Sequence, residues 1–130
     1  MIPEEEQIPK HSAEACQNSI SAVKDALYVL NGKWKLPVIA ALMDGAMRFN
    51  ELQHALEGIT PKVLSKELRE LELNELVTRQ VFATVPVTVS YELTDYSKSL
   101  NSVLTSLRLW GHQHREHIIA SRRMKIKHAG

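Results

Sequence analysis

At 130 residues the chain has room for one domain with a modest core, and 44% hydrophobic against 24% charged residues excludes a disordered polyelectrolyte. Its longest uncharged apolar run, "LPVIAALM" at 36–43, is far shorter than the roughly 20 residues a membrane span needs. The net charge of +1 does not mark a basic nucleic-acid binder, but it divides into −3 over residues 1–17, zero over 18–120 and +4 over 121–130, so the position of each charge matters.

Residues 1–17 hold Pro3, Pro9 and the acidic run Glu4, Glu5, Glu6, and read as a loose arm. "MIPEEEQIPK" has no apolar segment, so no secretory signal is expected. The lone Cys16 cannot form an internal disulfide, which fits a reducing cytoplasm. "NSISAVKDALYVL" places Ile20, Val23, Leu27 and Leu30 at helical spacing, and Asn31 and Gly32 stop that helix. "KWKLPVIAALMDG" predicts a second helix starting near Trp34, because Pro37 is tolerated only in a first turn. "MRF" reads as an extended link. Asn50 with Gln53 suggests a capping box for "ELQHAL", and Gly58 a turn. Thr60 and Pro61 are the cap and first position of a helix running to about Asn74.

Two alternating stretches, "LVTRQVFAT" and "VTVSYELT", follow around "VPV" and predict a hairpin with Pro86 near its tip. From Asp95 to about Ile119 there is one long helical pattern. A short helix, a glycine turn, a second helix and a hairpin make a winged helix-turn-helix. The expected fold class is mainly α with a small β-hairpin wing (α+β). The expected division is an arm at 1–17, a domain at 18–120 with dimerisation helices at about 18–30 and 95–120, and a basic tail at 121–130.

On the helix "TPKVLSKELRELE", Leu64, Leu68 and Leu71 fall within about 40° of one direction, while Lys62, Ser65, Lys66 and Arg69 cluster opposite. Such a face is either solvated, with pairs such as Lys66–Glu70, or a reading face. As the second helix of a helix-turn-helix it would lie in the DNA major groove. Thr60, Lys62, Ser65, Lys66 and Arg69 then suit bases and phosphates. Lys33, Lys35 and Arg48, at or just before helix starts, are candidate phosphate clamps or plain surface residues, and Arg79 at the wing's start is read the same two ways.

The ordered set "GKW", "RFNEL", "GI-T-KVLS--LRELE---LV-R", "VP-V-Y-LT" and "L--L--WG" resembles the HxlR-type winged-helix transcriptional regulators, relatives of the MarR group, over roughly residues 20 to 111. The resemblance implies a cytoplasmic bacterial homodimer on pseudo-palindromic operator DNA. It also implies, where a small-molecule effector exists, a pocket between domain and dimer helices that Trp110 would help line. It places Lys33 and Arg48 beside the helix-turn-helix. Some members sense oxidants through a Cys-Pro pair before the first helix. Here Ser21 and Ala22 hold that place and Cys16 lies five residues earlier, as an inert or a redox-active thiol. Thr88 stands where the wing often has arginine, which implies a weaker backbone contact; "NGKW" replaces "GGKW", and Ser97 replaces a frequent glycine, a change expected to matter little.

The last predicted helix would be about 37 Å long, more than a small domain's width of about 30 Å. Leu100, Val103, Leu104, Leu107, Trp110 and Ile118 give it an apolar stripe that implies a second copy, joined by Val23, Leu27 and Leu30. Both tryptophans, Trp34 and Trp110, read as packing residues. His114 and His117 share a face, but without a third ligand they read as a solvated or interfacial pair, and no cofactor is expected. No phosphate-cradling loop or catalytic elbow appears, so an enzyme is not expected. The rival to a DNA-binding regulator is a winged-helix module that uses the same face to bind protein.

Overall fold

The computed structural model describes residues 13–129, with side chains to residue 127. In chain order it contains α1 (Ala13–Val29), α2 (Lys35–Leu42), β1 (Met47–Arg48), α3 (Phe49–Ala55) and α4 (Pro61–Leu73). Then come β2 (Val77–Phe82), β3 (Thr88–Leu93), a 3₁₀ turn (Tyr96–Leu100) and α5 (Asn101–Ala129). The mainly helical fold with a wing after the helix-turn-helix matches the expectation.

Several boundaries differ from it. Helix α1 already covers residues 13–17 of the expected arm, and residues 1–12 lie outside the described residues. Helix α5 runs on to Ala129, so the cations expected in a separate tail continue a helix. Met47 and Arg48, read as a plain link, pair with Tyr91 and Ser90 and complete a three-stranded antiparallel sheet in the order β1-β3-β2. Two residues are too few to display a period, so only the pairing reveals this strand. Helix α3 starts at Phe49, and Glu51 Oε1 accepts the Arg48 N–H at 2.8 Å. The capping carboxylate is therefore Glu51, and the expected Asn50 and Gln53 lie inside the helix.

The core sits where α2, α3 and α4 pack on the inner face of the sheet. Ile39, Leu52, Leu64, Leu68, Leu71 and Val77 are fully buried there, and each contributes about 1.5–3 kcal/mol by leaving water. Trp34 packs against this core, as expected. Ser97 is a correction. It is fully buried and its Oγ donates to the Leu76 carbonyl, while Thr94 Oγ1 donates to the Glu75 carbonyl at 2.7 Å. These bonds tie the loop after α4 to the 3₁₀ turn that leads into α5, so serine in place of glycine adds an anchor.

Candidate nucleic-acid interface

The turn from α3 to α4 is closed by the Ile59 N–H donating to the Leu56 carbonyl at 3.2 Å. Gly58 takes φ 90, a conformation that side chains with a Cβ resist. Thr60 then enters α4 in an extended conformation and its Oγ1 accepts the Val63 N–H at 3.2 Å, with Pro61 following at the first helical position. Cap and proline are as expected, and the start of α4 is fixed.

From that start the helical period does the rest. Leu64, Leu68 and Leu71 point into the core, and Thr60, Lys62, Ser65, Lys66 and Arg69 are all exposed. Lys66 Nζ lies 3.8 Å from Glu70 Oε1, a loose surface pair. Among the described residues no salt bridge joins Lys62 or Arg69 to a carboxylate. The helix N-terminus adds a positive dipole end.

Lys35 is not a phosphate clamp. Only 3% of it is exposed, and its Nζ donates to Asn31 Oδ1 at 3.1 Å, to Glu67 Oε2 at 2.8 Å and to Glu70 Oε2. Glu67 is likewise buried and turned inward to this pair. Burial pulls the Lys35 ammonium down, but its hydrogen bonds to Glu67 and Glu70 and their negative charges outweigh it, leaving its pKa raised. The Lys35 hydrogen bond holds Glu70 below the usual carboxylate range, against partial burial and with help from the Lys35, Lys66 and Arg69 charges. Glu67 and Glu70 of α4 are thus compensated from behind, which the zero net charge of residues 18–120 conceals. A signal did exist. Lys35 heads the stripe Lys35, Val38, Ile39, Leu42, and Glu67 sits within Leu64, Glu67, Leu68, Leu71, both at i, i+3, i+4, i+7.

The sheet sorts the remaining cations. Arg48 pairs with Ser90 across the ladder, and together with Thr88, Thr84 and Phe82 it lines a hollow of about 320 Å³. Thr88 and Thr84 hydroxyls lie 3.0 Å apart there. Arg79 stands opposite Tyr91 and so belongs to the other sheet face. Lys33, in the turn between α1 and α2, is exposed and sets its ammonium over the Trp34 ring, 4.9 Å from the centroid. Arg48 and Thr88 are therefore brought together, and Arg79 is not with them.

This succession of capped turn, exposed cationic helix and wing is matched outside the chain. The HxlR-like helix-turn-helix family profile fits residues 29–119. The chain belongs to that family. The HTH-type transcriptional regulator YtcD of Bacillus subtilis, described as uncharacterized, is 40% identical over 93 residues, 72% of this chain and 74% of that protein. The redox regulator HypR in its reduced form superposes with a TM-score of 0.72 at 34% identity, covering 76% of this chain and 98% of that one. The reduced form of YodB from B. subtilis gives 0.62 at 38% identity, covering 69% and 88%. Membership makes the chain an HTH-type transcriptional regulator.

In this HxlR-like protein the residues assigned to a dimer interface divide. Val23 and Leu27 on α1 are 57% and 59% exposed, and Leu107 and Trp110 on α5 are 46% and 62% exposed. Ile118 is half-buried. Leu104 is 9% exposed and belongs to the domain's own core, against which Leu100 packs. Trp110 is thus no core residue; it stacks on His114, ring centroids 4.9 Å apart. Cys16 lies exposed on α1. A cavity of about 430 Å³ separates α1 from the loop after α4, and one of about 470 Å³ lies between α2 and α5; Trp110 lines neither. No described helix is long and apolar enough to cross a membrane.

Proposed function

We propose that this chain acts in the cytoplasm as a homodimer on a pseudo-palindromic operator. Helix α4 enters the major groove, where Thr60, Lys62, Ser65, Lys66 and Arg69 meet base edges and phosphates. Arg48 and Thr88 touch the backbone beside it, and Lys33 and Arg79 add weaker contacts. The observation that carries the reading is the two-sided α4: leucines fully buried on one flank, exposed cations and hydroxyls on the other. The dimer is supported by the exposed apolar residues Val23, Leu27, Leu107 and Trp110 on the two terminal helices. A twofold axis between them would set two α4 helices about 34 Å apart, one turn of DNA.

Selection of bound sequences from random duplex DNA tests this. The expected product is an inverted repeat with half-sites about 10–10.5 bp apart, centre to centre. The missing wing arginine favours a second reading, a protein-binding winged helix. Recovery of no common sequence, with binding indifferent to salt, would favour that module, since phosphate contacts impose a steep salt dependence.

A further inference from the structure

We propose that Lys35 is a positioning residue for DNA binding: it holds the Glu70 carboxylate inward and so keeps the neighbouring Lys66 available to phosphate. The inference rests on α4 being the groove helix. A lysine ammonium has three donors, and Asn31, Glu67 and Glu70 accept all three. Glu70 is shared between two lysines through its two oxygens. Oε2 is bound to Lys35, while Oε1 stays 3.8 Å from Lys66 Nζ.

Positions 66 and 70 are i,i+4 neighbours, and such a pair closes readily on a helix surface. Closed, it would cancel a cation on the reading face. The buried ammonium competes for the same carboxylate and wins, because its pairing escapes the screening that weakens an exposed pair. The lowered pKa of Glu70 agrees with this, since its Lys35 hydrogen bond is the leading cause.

The test uses the full chain and a duplex carrying the inverted repeat recovered by selection. Affinity is measured over a range of salt, well below each variant's melting temperature. Lys66→Ala is expected to weaken binding and make the salt slope shallower by about 0.9, one phosphate contact. Glu70→Gln removes the competing charge and is expected to tighten binding about two- to fivefold, the scale of one exposed ion pair. Lys35→Met frees Glu70 to close on Lys66, so binding weakens and the slope becomes shallower, as in Lys66→Ala. Lys35→Met with Glu70→Gln restores both affinity and slope, while its melting temperature stays low because Glu67 remains unpaired.

A merely structural Lys35 would leave the slope unchanged and give no rescue in the double variant; either result overturns the proposal. If Lys35→Met does not fold, Glu70→Gln decides alone, and binding no tighter than the parent's overturns it. If Lys66→Ala changes neither affinity nor slope, the groove reading of α4 falls, and the proposal with it.

Discussion

Lys35 and Glu67 occupy places in two core stripes where a leucine would be expected, and each is acceptable there only because the other is present. Lys35→Met leaves the Glu67 carboxylate buried without a counter-charge, and a loss of about 3 kcal/mol at neutral pH is expected. The pH dependence follows from the shifted groups. The lowered pKa of Glu70 gives stability that is present above its ordinary 4.5 and is lost as pH falls through the folded value. The raised pKa of Lys35 gives stability present below 10.5 and lost as pH rises through its folded value. Melting curves of parent and Lys35→Met should therefore differ most between these limits and converge as acid protonates Glu70. On the exposed flank the opposite pattern is expected. Arg69→Ala should weaken operator binding by about 1–3 kcal/mol if it reads a base, at an unchanged melting temperature.

Elements were most legible where local chemistry is decisive. Thr60 and Pro61 announce the start of α4 because a hydroxyl cap and a preset φ need no tertiary partner. The turn before it is equally local. An added Cβ at Gly58 meets nothing within 4 Å, so Gly58→Ala tests backbone conformation alone. It should cost about 1–2 kcal/mol, read as a lower melting temperature. Two elements were misread because their signals are not local. Strand β1 exists only through its pairing with β3. The cap of α3 moved to Arg48 and Glu51, because that pairing fixes where the chain turns into the helix.

At the scale of the whole molecule, α5 extends 29 residues, about 43 Å, well past the core it starts on. Its first turns pack inward through Leu104, and beyond them Leu107, Trp110 and Ile119 remain exposed. Such a face, with the equally unburied α1, calls for a partner. Leu107→Asp is expected to shift gel-filtration elution from dimer to monomer and to reduce operator affinity at least tenfold, because one half-site then binds alone. A parent protein that elutes as monomer at micromolar concentration would remove the dimer from the reading.

Periodicity, caps and turn residues were enough to determine the helix-turn-helix, the wing and the two flanks of α4, since each depends on neighbours within a few positions in the chain. Helical stripes could mark Lys35 and Glu67 as inward, but only tertiary structure decided which groups compensate them there. Lys35 and Lys66 are the same residue type on helical segments, yet one is enclosed by carboxylates 32 and 35 residues away and the other meets solvent. The side on which a charge ends up depends on the partner that offsets its desolvation, and that partner can be far along the chain.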